Sequence, residues 1–361
     1  MHISTLILAF TAAIGLTTGS PVLQQRNSDQ CYWASPRKEW RMLTNQEKLN
    51  YINAVKCIQN KPSSMKSKFP YSTSRYEDFI MLHKSETPRI HFVGHFLPWH
   101  RAFLANFEKV LQTECNYSGM IPYWDQSRDT ANFLNAPVFH TTYGFGGNGA
   151  EEGGDPNIPG STGGGCITSG PFKNLRIHIA HAGVDAPNID RCLKRAIAPP
   201  LAQAWQTAKK ESQVLASPNY ETLAVVLEGD VIFPDVMVKL GMHNSGHSTV
   251  GGDMFDMYIS PGDPLFYLHH ANIDRIWASW QDLSSSNLYA IGNPIAPRQN
   301  SMLSWPNPPA GNVTPKFELY SLKVPGTTTQ AVVGNVLNTR GRGVGVPGAP
   351  GVKGVLCYQY V

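Results

Sequence analysis

The chain has 361 residues, 42% of them hydrophobic and 16% charged, with a net charge of +4. That length accommodates one large domain or two ordinary ones. The composition excludes a disordered or polyelectrolyte chain, and the sequence has no basic cluster of the kind that binds nucleic acid.

The N-terminal stretch MHISTLILAFTAAIGLTTGS reads as a secretory leader, an apolar run from Ile3 to Leu16 followed by small residues. The run is too short to span a membrane comfortably. Residues 1–19 are therefore expected to be a signal peptide, cleaved near Gly19 or Ser20. Residues 20–361 are expected to form one secreted, extracellular domain with no membrane association. Six cysteines behind a leader point to disulfides, and no CxxC suggests a zinc knuckle or redox motif. Cys166–Cys192 is the favoured pair, because it would pin a glycine-rich loop. Asn116 and Asn312 open glycosylation sequons.

Four segments have the periodicity of helices. Residues 72–86 place Tyr76, Phe79, Ile80 and His83 at helical spacing. Residues 97–114 carry Pro98 near the start, where helices tolerate proline, and an apolar stripe of Phe103, Phe107 and Leu111. Residues 234–247 start with a proline and are interrupted by Gly241. Residues 263–283 align Leu265, Leu268, Asn272, Ile276 and Trp280 on one side. A further helix is expected around 197–210. Residues 144–170 form a long glycine-rich loop, and QAVVGNVL near the C-terminus has the look of a strand. The fold expected is mainly α, a helical core wrapped by long loops and a few short strands.

Most of the twelve histidines cluster on these helices. In HNSGH, His243 and His247 stand at i and i+4, so on a helix both imidazoles leave the same face. A zinc protease needs Glu directly after the first histidine, and Asn244 is there instead. His269 and His270 diverge by about 100° on a helix, so only one can face a given metal. His270 shares a side with Phe266, Asp274 and Trp277, whereas His269 shares one with apolar residues, which favours His270. Upstream, His83, His91, His95 and His100 leave more than one choice of three. Two clusters of about three imidazoles suggest two metals, with copper, zinc or iron all suited to such ligands. Three imidazoles leave the open position a reactive site needs. His178 and His181 form a rival HxxH, read as polar residues of a loop or short helix.

HFVGHFLPWHRAFLANFE together with HNSGH and SPGDPLFYLHHANIDRIWASWQ resembles the two copper-binding regions of tyrosinases and catechol oxidases, the type-3 copper polyphenol oxidases. The resemblance spans roughly residues 75–283 and looks like the short secreted fungal-type members without a C-terminal shielding domain. It implies a four-helix bundle carrying a dinuclear centre of two copper ions. One copper would take His83, His91 and His100, and the other His243, His247 and His270, with His95 and His269 left over.

The resemblance also implies roles for other residues. Arg101 and Asp274 match a structural pair that ties the copper helices together, and Phe266 matches an aromatic near the substrate entrance. Asn244 matches a residue that positions a water for phenol deprotonation, aided by an acid such as Asp235 or Glu228. Asn244 and Ser248 are expected to set which phenols fit. Arg89 and Ile90 stand where many members carry a cysteine crosslinked to a copper ligand, so no such thioether is expected. CYQYV resembles the Tyr-x-Tyr motif that closes the catalytic domain. The implied activity is oxidation of o-diphenols to o-quinones with reduction of O2 to water, leaving monophenols and o-aminophenols open as further substrates. The competing class is a haemocyanin-like protein that binds O2 reversibly through the same six histidines.

Overall fold

The computed structural model describes residues 30–181, 189–230, 239–298, 303–319 and 332–361. The expected leader over 1–19 and Asp235 lie outside the described residues. Helix α1 (Asn45–Asn60) opens on a capping box, in which the Thr44 hydroxyl accepts from Glu47 N and the Glu47 carboxylate accepts from Thr44 N. Helix α2 (Arg75–Ile90) is capped by Ser74, and α3 (Phe96–Glu114) carries Pro98 in its first turn. Then come the short helices α4 (Pro199–Trp205), α5 (Ala208–Leu215) and α6 (Tyr220–Glu228). Helices α7 (Gly241–Val250), α8 (Leu265–Asp282) and the single turn α9 (Val333–Val336) complete the set.

The strands are few and short. β1 (Ser35–Arg37) pairs in parallel with β6 (Tyr358–Tyr360), and Cys31–Cys357 bonds the same two segments. β2 (Gly149–Glu151) pairs with β3 (Gly164–Ile167), and β4 (Arg176–Ile177) with β5 (Arg191–Cys192), both antiparallel. The other disulfides are Cys57–Cys115 and the expected Cys166–Cys192. All six cysteines are paired, which leaves none for a thioether.

Apart from a small cluster of Ile158, Ala198, Leu201 and Leu240, the apolar core runs from Trp40 to Tyr358. Helices α2, α3, α7 and α8 surround its centre. The expected stripe of Phe103, Phe107 and Leu111 is fully buried, and Phe107 stacks on Tyr267 of α8 with ring centroids 3.5 Å apart. A buried ion network ties the chain ends to this bundle. Asp274 accepts from Arg101, from Arg37 (3.4 Å), and from the hydroxyls of Tyr358 (2.6 Å) and Tyr360. The Arg101–Asp274 pair implied by the motifs is therefore present, and Tyr-x-Tyr is part of the same network.

Several expectations need correction. Of the helix expected over 234–247, residues 234–238 lie outside the described residues, and the described helix starts at Gly241. With φ +58° it lies in the left-handed region, where glycine is at ease, and α7 begins there. The helix expected around 197–210 is two, α4 and α5, separated at Gln206 and Thr207. The glycine-rich loop holds the β2–β3 hairpin. QAVVGNVL supplies α9 instead of a strand, because Asn335 folds its side chain back to accept from Val332 N. The sequence reading also missed α1, whose apolar pattern is weak, and the short α6.

Candidate metal centre

Four helices and one loop bring six histidines together. His83 lies on α2, His91 just past its end, His100 on α3, His243 and His247 on α7, and His270 on α8. The chain leaves α2 after Pro88 and turns at Phe92, whose φ is +59°. That turn folds His91 back against His83 and His100. Ring nitrogens of these three lie within 4.8 Å of one another. In the second group His247 Nε2 stands 3.2 Å from His243 Nε2 and 3.0 Å from His270 Nε2. The groups adjoin, since His100 and His270 stack with centroids 4.6 Å apart.

Proton positions on these rings are dictated by their outer partners. The Nδ1 of His83, His91, His100 and His247 faces the carbonyl oxygens of Tyr258, Thr87, Phe96 and Met254, at 3.3, 3.0, 2.9 and 2.9 Å. A carbonyl only accepts, so each Nδ1 carries the proton and each Nε2 a lone pair. His243 Nδ1 has the side-chain oxygen of Asn244 at 2.9 Å in the same role. Burial lowers the pKa of all six, His91 to about 4, and neighbouring imidazoles add to the effect at every one except His91. The rings are therefore neutral. Facing lone pairs, 3.5 Å apart between His83 and His100 and 3.2 Å apart between His243 and His247, cannot hydrogen-bond to one another. A cation at each focus resolves the conflict, and imidazole nitrogen suits copper. The donor set fits two metal ions.

By proximity alone His269 rivals His270, because one of its ring nitrogens lies within 4.8 Å of those of His243 and His247. Its hydrogen bonds distinguish it from His270. His269 Nε2 faces the His243 carbonyl at 3.0 Å, and the Gln126 amide donates to Nδ1 at 3.2 Å. Both nitrogens are engaged by protein partners. His95 is similarly committed, with Nε2 2.7 Å from the Arg89 carbonyl. His178 pairs with Glu77, and His181 with Asp256, on the outer surface.

The other expected site residues are spread around this centre. Asn244 and His247 are its least buried members. Phe266, expected near the substrate entrance, is fully buried, stacked on His270 with centroids 4.1 Å apart and beside His83 and His247. Ser248 is buried, its hydroxyl donating to the Asn244 carbonyl. Glu228 accepts from Phe92 N at 2.6 Å and from Arg298 at 3.1 Å, and thereby braces the turn beside His91. Burial nevertheless pushes its pKa up to about 7.

Sequence reasoning missed several supports. The segment Met254–Tyr258 supplies carbonyls to one histidine of each group. Arg195, fully buried, links Asp263 at the head of α8 to the carbonyls of Gly146 and Gly147 in the glycine-rich loop. Gln126 has no motif signal, since only the fold brings it to His269.

The family model described as the common central domain of tyrosinase matches residues 73–283, more than half of the chain. The chain belongs to the tyrosinase family. It is 34% identical over 274 residues to Tyrosinase P of Aspergillus terreus, covering 68% of this chain and 75% of that one. It is 31% identical to N-acetyl-6-hydroxytryptophan oxidase ivoB of Emericella nidulans over the whole of both chains. Among solved structures it is similar to a polyphenol oxidase, mutant G292N, from Thermothelomyces thermophila. The TM-score is 0.76 and the identity 30%, with 91% of this chain and 89% of that chain covered. As a tyrosinase-family oxidoreductase it has a dinuclear copper centre, and the two histidine triads fit that centre.

Proposed function

We propose that this tyrosinase-family enzyme oxidises o-diphenols to o-quinones while O2 is reduced to water. In this reading His83, His91 and His100 hold one copper, and His243, His247 and His270 hold the other. The observation that carries it is the pair of inward-facing Nε2 sets, joined by the stacked rings of His100 and His270. Bound together, two copper ions supply two-electron redox chemistry with O2.

The chain's own residues fix the rest. Carbonyl partners and Asn244 hold His83, His91, His100, His243 and His247 in the tautomer that ligates, as outer-sphere partners of metal-bound histidines do. Phe266, packed against His270 and His247, is the aromatic proposed to stand near the substrate entrance. The phenol enters on the side of His247 and Asn244, the less buried edge, with Ser248 behind it. There the substrate loses its protons and gives up two electrons per ring. Asn244 Nδ2, buried and with no partner among the described residues, is the group available to hold a water for that deprotonation. Both oxygens of Glu228 are engaged, so Asp235 is the acid proposed to assist.

Three disulfides support passage through an oxidising compartment, and so secretion through the leader at 1–19. Among the described residues no helix is long and apolar enough to cross a membrane. Asn116 and Asn312 are both exposed, as glycosylated asparagines must be. Residues 20–361 are read as one catalytic domain, in keeping with the main core that runs from Trp40 to Tyr358.

The test is oxygen uptake by copper-loaded protein with 4-tert-butylcatechol, a monophenol, an o-aminophenol and a 6-hydroxyindole. The last is included because of the full-length relative's name. Quinone formation at the expense of O2 with the catechol is expected. Reversible oxygen binding without quinone would sink the reading in favour of a haemocyanin-like carrier.

A further inference from the structure

Adjacent histidines on α8 both lie near the second triad, and something must keep the wrong one off the metal. His269 Nε2 and the His243 carbonyl are 3.0 Å apart, a contact that needs a proton on Nε2. A neutral imidazole carries one proton, so Nδ1 must accept, and its partner must be a donor. Gln126 Nε2, at 3.2 Å, is that donor. The Gln126 side chain is fully buried on the first residue of a 3₁₀ turn (Gln126–Arg128), and the Trp124 N to Leu268 O bond fastens this segment to α8.

We propose that Gln126 is a positioning residue that selects the ligand at the His269–His270 pair. By donating to His269 Nδ1 it keeps the proton on Nε2, where the His243 carbonyl takes it, and His269 has no lone pair to offer a metal. His270 is under no such restraint. The proposal rests on the reading that His243, His247 and His270 hold the second copper.

A carboxylate at position 126 reverses the preference. In Gln126→Glu the side chain only accepts, so it draws the proton to Nδ1 and frees the Nε2 lone pair towards His243 and His247. Two measurements on the full chain test this. The first is nitrogen-15 spectroscopy of histidine-labelled, copper-free protein, with His269→Phe to assign the resonance. His269 should show an unprotonated Nδ1, and Gln126→Glu should move the proton to Nδ1. A protonated Nδ1 in the unsubstituted chain overturns the proposal whatever the metal does.

The second is copper content after loading and dialysis. His270→Ala should retain one copper per chain. Gln126→Glu/His270→Ala should recover binding of the second copper at least tenfold, and adding His269→Phe should abolish the recovery. No gain in a double variant whose copper-free melting curve matches that of His270→Ala overturns the proposal. Full copper content in His270→Ala alone would instead overturn the ligand reading, a distinguishable failure.

Discussion

Gly246 and His269 are in contact so close that a Cβ at position 246 would lie 2.2 Å from the imidazole Cε1. The glycine of HNSGH and the first histidine of the HH pair are thus two halves of one fit. The bare backbone of α7 lets the His269 ring lie flat beside it and reach the His243 carbonyl.

Gly246→Ala should therefore damage the second triad without touching a proposed ligand. The surrounding groups are buried and cannot yield cheaply, so a loss of about 1–3 kcal/mol in stability is expected. Copper content should fall towards one per chain. A melting curve and metal analysis of the same preparation check both parts, and an unchanged variant would show that α7 and α8 can separate freely.

His95→Ala and His91→Ala separate neighbours of equal sequence appeal. His95→Ala removes a hydrogen bond to the Arg89 carbonyl and should keep both coppers, at a cost of about 1–3 kcal/mol in stability. His91→Ala should lose one copper and the oxidase activity. Metal analysis reading the opposite way would refute the ligand choice.

The copper-free protein should be acid-labile from near neutrality. Burial lowers the pKa of eight histidines, the six of the triads together with His95 and His269. The unfolded chain therefore binds protons first as pH drops through about 6.5, and stability falls with pH down to the folded values, about 4 for His91, His95 and His269. Glu228 acts in the opposite sense. Its folded pKa is raised from 4.5 to about 7, so it contributes a loss of stability as pH rises through that window. Melting temperature against pH should fall steeply below about 6.5, and Glu228→Gln should flatten only the rise-dependent loss. A flat profile for the copper-free protein would contradict the neutral, buried state of the rings.

Asp274→Ala should be among the costliest substitutions outside the triads. Burial works to raise its pKa, but Arg101, Arg37 and the two tyrosine hydroxyls outweigh it and hold the carboxyl below its usual value. Removing the carboxylate leaves two buried guanidinium groups without it, which costs about 3–5 kcal/mol. Urea unfolding measures the loss, and a cost under about 1 kcal/mol would show that the network relaxes around it.

Much of the site was legible in the chain. HNSGH placed two imidazoles on one helical face because the helical period does so wherever the helix forms. DPLFYLHHANIDRIW announced its own apolar stripe, and Pro98 marked the head of α3. Other parts were not legible. The weak amphipathicity of α1 hid a helix, and Asn335 turned a valine-rich stretch into α9 through a local hydrogen bond.

The sequence by itself determined the donor chemistry: imidazoles at helical spacing, on separate helices, in motifs that resemble one copper family. Tertiary structure set the hydrogen-bond partners of each imidazole, on which the proposed choice of ligands rests. That choice depends on where each ring's second nitrogen finds its partner, and some partners stand far off in the chain: Tyr258 for His83, Gln126 for His269. Hydrogen bonds between such distant groups leave no periodicity for a sequence to show. Helical spacing already leaned to His270 over His269, and the fold adds Gln126 and Gly246 as the neighbours that hold His269.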